Sequence, residues 1–141
     1  MTSRFAIGFA VVAAAGGLYG AALLAQSSTS VSQGVFTADQ AKRGQAVYMD
    51  ACTKCHLDDL SGGKDSPPLV GDEFLSGWKG KKVGGLFDEV CMTMPFDSPG
   101  SLKPEQCADL IAYMLSANKF PAGDKELAHE AAPLEEIEID K

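Results

Sequence analysis

The chain has 141 residues, and its nineteen acidic side chains outnumber its twelve basic ones to give a formal net charge of −7. This length predicts a single domain. The charge argues against a nucleic-acid-binding protein, because nothing in the chain offers the broad cationic face that a phosphate backbone requires. We expect instead a protein partner that docks through a basic surface of its own.

The N-terminal region precedes the first predicted helix. An apolar run, 5–25, follows Arg4 and ends before a polar stretch, so we predict that residues 1–25 are a cleaved signal peptide. At about 20 residues the run is also long enough to span a bilayer as a retained anchor. In both cases the rest of the chain is exported, and we expect a periplasmic protein that contacts the membrane only if this run is kept. Residues 26–36 are rich in Ser, Gln and Gly and predict a flexible linker.

A helix is predicted next, because Thr37 and Gln40 have the spacing of a capping box. Gly44, Tyr48 and Cys52 follow at intervals of four residues, which places them on one face of that helix. A glycine inside a helix costs about 1 kcal/mol relative to alanine. Gly44 therefore indicates close approach by another helix.

Cys52, Cys55 and His56 form a C-x-x-C-H motif at the end of this helix. Two thiols at this spacing can add to the two vinyl groups of one haem, and the histidine that follows can then bind the iron. A zinc site would need a second pair of ligands, and the other cysteines, Cys91 and Cys107, are too far apart for one. A thioredoxin-like redox pair would need a βαβ pattern, which we do not find. We predict that Cys52 and Cys55 attach one haem c covalently and that His56 is its proximal ligand.

The segment 57–85 is rich in Gly, Asp, Ser, Pro and Lys and is predicted to be a long loop. Its interspersed apolar residues argue against disorder, since they can line a pocket around a large flat cofactor. They are Leu69, Val70, Phe74, Leu75 and Trp78.

Two further helices are predicted, a short one over residues 86–92 and a last one from Pro104 to about Asn118. The last helix carries apolar residues at the spacing of a core-facing stripe, namely Cys107, Leu110, Ile111 and Met114. No period-2 stretch of any length is present. The sequence therefore predicts an all-α fold, with few helices and long loops wrapped around one covalently bound haem.

The second axial position of the iron needs a ligand from another part of the chain. Met94 precedes Pro95, which disfavours helical geometry, so Met94 is expected in an extended loop that can reach the opposite face of the haem. Two other methionines are placed less well, one on the wrong side of the ring and one on the core stripe: Met49 and Met114. We predict Met94 as the second ligand, with Met92, His129 or no ligand as the alternatives.

The order of these features resembles class I monohaem cytochromes c over about residues 36–123, nearly the whole mature chain. The resemblance is carried by Gly44, Tyr48, the C-x-x-C-H motif, Pro67-Pro68-Leu69, Trp78 and Met94-Pro95 before a final amphipathic helix. It implies a haem domain over 37–122 and an acidic C-terminal tail over 123–141.

The same resemblance implies specific contacts. Gly44 and Tyr48 are expected to pack against Tyr113 of the last helix. The carbonyl of Pro68 is expected to accept a hydrogen bond from the second ring nitrogen of His56. Trp78 is expected to border a haem propionate.

The runs 94–102 and 117–123 are similar to periplasmic cytochromes that serve dehydrogenases, notably quinoprotein alcohol dehydrogenases, although Lys103 and Lys119 depart from that pattern. The resemblance implies an electron-transfer protein, not an enzyme, that cycles between Fe(III) and Fe(II). A dehydrogenase would be the donor and an oxidase or another cytochrome the acceptor, for a monomer or a small subunit of a complex. The alternatives are a subunit tethered in a respiratory or dehydrogenase complex, and a small haem peroxidase or gas sensor.

Three features stay open in the sequence. Cys91 and Cys107 are either a disulfide, favoured by an oxidising compartment, or two buried thiols. The apolar residues of the tail either pin it to the domain or leave it mobile. The basic cluster near Trp78 either steers an acidic partner or is a solvated loop; its members are Lys79, Lys81 and Lys82.

Overall fold

The computed structural model describes residues 29–141, so the predicted signal peptide, residues 1–25, lies outside the described residues. Six helices are present: α1 Ala38–Ala51, α2 Thr53–His56, α3 Gly71–Trp78, α4 Val83–Thr93, α5 Pro104–Ala117 and α6 Ala131–Leu134. They are accompanied by a 3-10 turn, Val31–Gln33, and two short strands, β1 Thr29–Ser30 and β2 Ile137–Glu138. The predicted all-α class is confirmed. Within 29–141 no helix has both the length and the apolar character needed to cross a membrane.

Helices α1 and α5 form the central packing of the domain. Helix α1 begins as predicted, with the Thr37 hydroxyl accepting a hydrogen bond from the Gln40 amide at 3.1 Å. The rings of Tyr48 and Tyr113 lie 5.4 Å apart, which is the contact expected between the two helices. Gly44 of α1 faces another part of α5, where a Cβ on this glycine would overlap the backbone of Asp109. The glycine thus permits the close approach, against Asp109 instead of Tyr113.

The predicted long loop 57–85 contains a helix that the sequence reasoning missed, α3. Asp72 and Glu73 stand in its first turn, where negative charge favours the helix N-terminus, and Phe74 is buried. The Gly- and Ser-rich composition suggested a loop, but burial of Phe74 stabilises this short helix. Helix α4 is also longer than the predicted 86–92, because it begins at Val83.

Both ends of the described chain are held against the domain. The prediction of a flexible linker over 26–36 is wrong from residue 29 onward, since Val31 and Phe36 are fully buried. Strand β1 pairs in parallel with β2 of the C-terminal tail. The tail in turn buries Leu134 and Ile139, and the Ile139 amide donates to the Lys81 carbonyl at 2.9 Å. The apolar residues therefore pin the acidic tail to the domain.

A disulfide joins Cys91 of α4 to Cys107 of α5, sixteen residues apart in the chain. This decides between the bonded and the unbonded state that the sequence left open. The bond connects α5, part of the central packing, to the last turn of α4, three residues before Met94.

Candidate functional site

One large cavity, of about 710 Å³, opens between α2, α3, α4 and α5. All six residues that the sequence assigned to the cofactor line it: Cys52, Cys55, His56, Pro68, Trp78 and Met94. Apolar side chains from α3, α4, α5 and the loop before α5 complete much of the wall, among them Phe74, Leu86, Val90, Leu102 and Leu110. A cavity of this size and lining is typical of sites for small molecules and cofactors.

His56 is the last residue of α2 and is buried, with 9% of its surface exposed. Its Nδ1 lies 2.9 Å from the carbonyl oxygen of Pro67. The predicted acceptor, the Pro68 carbonyl, is therefore wrong by one residue, because the loop turns the carbonyl of Pro67 toward the His56 ring. A carbonyl only accepts, so Nδ1 carries the proton and Nε2 is left as a neutral donor atom suited to an iron.

The two thiols stand at the two ends of one helical turn. Cys52 caps α1, where its amide donates to the Tyr48 carbonyl at 2.9 Å, and Cys55 lies one turn later on α2. Neither forms a disulfide. Burial, together with the nearby charge of Cys55, raises the pKa of the Cys52 thiol to about 11. Thioether formation would remove that titration, and the pair is placed to hold one edge of a haem.

Met94 follows the last residue of α4 and has extended backbone geometry, as predicted from Pro95. Its side chain lines the cavity that also contains His56. The alternatives are placed differently, because Met92 is 70% exposed and does not line this cavity. His129 lines a separate cavity of about 180 Å³, where its Nε2 lies 3.4 Å from a Glu130 carboxylate oxygen.

Sequence reasoning missed a buried polar residue that supports the histidine loop. The Asn118 side chain, just past the end of α5, donates to the Leu69 carbonyl at 2.9 Å and to the Met114 carbonyl at 2.8 Å. Its oxygen accepts from the Gly71 amide at 3.0 Å. Asn118 thus ties the loop that contains the Pro67 acceptor to the core. An asparagine at the end of a predicted helix gives no sign in the sequence that its side chain is buried and bonded to a distant loop.

Tyr48 supports the motif from the other side. Its hydroxyl donates to the Leu57 carbonyl at 2.6 Å, which holds the residue that follows His56. Leu57 has a φ of 63°, in the left-handed region that is uncommon outside glycine. Burial raises the pKa of Tyr48 above its ordinary value, so the phenol stays protonated and remains a donor.

Trp78 ends α3 at the edge of the cavity, with its ring 6.4 Å from that of Phe74. The Lys81 ammonium lies 5.0 Å from the Trp78 ring centroid, a cation–π contact. The residues described, 29–141, contain no cluster of three or more His, Cys, Asp or Glu side chains that could hold a metal ion.

Comparison with known proteins extends this description. The family model described as cytochrome C oxidase, cbb3-type, subunit III matches residues 39–114. The crystal structure of the sulfane dehydrogenase SoxCD from Paracoccus pantotrophus is similar, with a TM-score of 0.50 and 26% identity. That similarity covers 66% of this chain and 50% of the SoxCD chain, so the likeness extends over half of that protein chain. No curated protein matches.

The family match covers more than half of the 141 residues and includes the C-x-x-C-H motif, α3, α4 with Met94, and most of α5. The cavity agrees with it, because two thiols, a histidine with a defined tautomer and two methionines, Met94 and the core-stripe residue Met114, line one largely apolar space. The chain belongs to the family described by this cbb3-type subunit III model, and it is a class I monohaem cytochrome c that binds haem c covalently.

Proposed function

We propose that this protein is an exported one-electron carrier of the periplasm. Cys52 and Cys55 would hold the haem c through thioethers, and His56 and Met94 would be the two axial ligands. The observation that supports this most directly is that all four side chains line the same apolar cavity. The signal peptide proposed over residues 1–25 would supply the export that haem c attachment requires.

Haem c supplies a single Fe(III)/Fe(II) step when it is bound. The residues of this chain prepare the site for that step. The hydrogen bond from His56 to the Pro67 carbonyl orients the imidazole and increases its basicity. The Met94 thioether would favour reduced iron and raise the potential, and the apolar walls limit access of water. With both axial positions filled, small molecules have no free site, so we propose that the protein has no enzymatic activity of its own.

A dehydrogenase is the proposed donor, and an oxidase or another cytochrome the proposed acceptor. Two observations support this choice. The similar structure is that of a protein named sulfane dehydrogenase, and the matching family is described as a subunit of a cytochrome c oxidase. Trp78, at the cavity edge, is proposed to border a haem propionate.

A second candidate is an electron-transfer subunit held within a larger complex. It is favoured by the SoxCD likeness, which covers only half of that chain. A mass measurement of the mature N-terminus separates two forms of this idea. A start near Gln26 would exclude a membrane tether, whereas an intact segment 5–25 would support one.

The carrier function is tested by substituting the proposed ligand in the holoprotein. Met94→Ala is expected to abolish the far-red thioether-to-iron charge-transfer band and to allow rapid binding of carbon monoxide to the reduced protein. The control is Met92→Ala, because Met92 is exposed and lies outside the cavity. Rapid carbon monoxide binding by the unsubstituted protein would instead support a peroxidase or gas sensor.

A further inference from the structure

An aromatic side chain stands exposed at the mouth of the haem cavity. Phe96 lines the cavity, yet 84% of its surface is accessible, more than that of any other large apolar residue described between 29 and 141. It follows Met94 and Pro95 in the segment that we assign to the iron ligand. Exposed aromatic residues at the edge of a functional site are typical of surfaces that contact another protein.

The charged residues that line the cavity together with this aromatic group are mostly of one sign. Four exposed carboxylates line the same cavity: Asp65, Glu73, Glu89 and Asp97. Lys54 is the one lysine or arginine among the lining residues. None of the four carboxylates forms a salt bridge within residues 29–141. Since an unpaired carboxylate is costly to bury, these groups belong at the water-facing edge. We call Phe96 and these four residues the acidic rim.

None of the three lysines of the basic cluster near Trp78 lines the cavity. The Lys82 ammonium lies 3.7 Å from a Glu138 carboxylate oxygen of the C-terminal tail. Lys81 lies over the Trp78 ring. The tail therefore brings negative charge to the cluster that the sequence offered as a surface for an acidic partner.

We propose that the acidic rim is the docking surface for a redox protein whose contact surface carries lysine or arginine side chains around an apolar patch. The proposal rests on the carrier function proposed above and names the chemistry of its partner. Opposite charges raise association rates by about 10- to 1,000-fold at low ionic strength. Phe96 would supply the apolar contact at the cavity mouth, which suits the small, transient interfaces of redox partners.

The test uses the reduced holoprotein and, as the probe, an oxidised lysine-rich cytochrome c with a strongly positive surface. The rim variant carries four neutral substitutions: Asp65→Asn, Glu73→Gln, Glu89→Gln and Asp97→Asn. The control variant neutralises four exposed carboxylates that lie outside the cavity lining and form no salt bridge: Asp39→Asn, Asp124→Asn, Glu135→Gln and Glu136→Gln. Both variants change the net charge equally, so a difference between them reports position.

At low ionic strength the rim variant is expected to react about tenfold more slowly than the unsubstituted protein and to lose most of its salt dependence. The control variant should slow by less than about threefold, since distant charges are screened. Equal slowing of both variants, or no slowing of either, would overturn the proposal. At high ionic strength, Phe96→Ala should still slow the reaction while Met92→Ala does not. Equal effects of the two substitutions on the rate would show that Phe96 is not part of the docking surface.

Ferrocyanide, a small anionic reductant, separates this proposal from the carrier function. The oxidised rim variant should be reduced faster than the unsubstituted protein, because repulsion has been removed. Failure of the unsubstituted protein to accept one electron from any reductant would contradict the carrier function itself. Normal reduction without a difference between rim and control variants would contradict the docking proposal alone.

Discussion

Removal of the disulfide between Cys91 and Cys107 is expected to lower the free energy of unfolding by about 3 kcal/mol. The bond closes a loop with a sequence separation of 16. In the chain-entropy treatment a closed loop of about 15 residues corresponds to about 3 kcal/mol at 25 °C, because the cross-link restricts the unfolded chain. For a domain of this size the loss corresponds to a fall in Tm of roughly 10–20 °C.

The perturbation is the double variant Cys91→Ala/Cys107→Ala, and the assay is urea unfolding of the oxidised holoprotein. The far-red charge-transfer band should report on Met94 while the Soret band reports on the haem. Because Cys91 stands three residues before Met94, the thioether signal is expected to disappear at a lower urea concentration than in the unsubstituted protein.

Cys107 is fully buried, so its replacement by alanine also removes core contacts. Reduction of the disulfide in the unsubstituted protein with a phosphine opens the same loop without that loss, and it serves as the control. A decrease below about 1 kcal/mol in both experiments would refute the argument that this bond restrains the unfolded chain.

Three further predictions concern packing, hydrogen bonding and pH. Gly44→Ala should lower the free energy of unfolding by more than about 2 kcal/mol in urea, since its Cβ would overlap the Asp109 backbone. Gly85→Ala, whose Cβ would meet only the Trp78 ring at 3.9 Å, should be neutral or stabilising, and similar values for both would contradict the close helix contact. Asn118→Leu should cost about 1–3 kcal/mol, because buried groups lose their partners, and should shift the measured reduction potential. Asn118→Asp should be no better, because it keeps only the accepting oxygen and sets a carboxylate against the Leu69 and Met114 carbonyls; an unchanged potential in Asn118→Leu would separate this residue from the histidine loop. Burial works to raise the pKa of Asp140, but hydrogen bonds from Ser30 and Ser32 outweigh burial and hold this pKa below its ordinary value. The contribution of the Asp140 carboxylate to tail docking is therefore present above about pH 4 and is lost as pH falls through the folded-state pKa. The protection of the Ile139 amide against hydrogen exchange, measured relative to its intrinsic exchange rate, should therefore fall on acidification in the unsubstituted protein and fall much less in Asp140→Asn. An identical pH dependence of the protection would count against this role.

The covalent part of the candidate site was predictable because it is contiguous. Cys52, Cys55 and His56 lie within one helical turn, so their spacing alone determines which chemistry they can perform together. The extended geometry of Met94 was predictable for a local reason too, since Pro95 keeps it out of the helix. These residues line one cavity because the fold brings α2 and the end of α4 together.

The carbonyl that accepts from His56 shows the limit of such reasoning. The sequence contains Pro67 and Pro68 side by side, and either carbonyl satisfies a general expectation of a hydrogen bond. The choice depends on the path of the loop, which Asn118 helps to fix from a position 49 residues beyond Leu69. Which of two neighbouring carbonyls faces the histidine is decided by distant contacts of this kind, not by composition.

The sequence by itself determined the cofactor and the helical class, since each follows from local spacing and side-chain type. Tertiary structure alone decided how the two ends of the described chain close over the domain. Thr29 pairs with Ile137, more than a hundred positions later, in strands too short to show any periodicity. Tertiary structure also placed Glu138 beside Lys82 and brought Phe96 and four carboxylates to the lining of one cavity. Such long-range pairings depend on which surfaces meet once the core has formed, because few local preferences in the chain encode them.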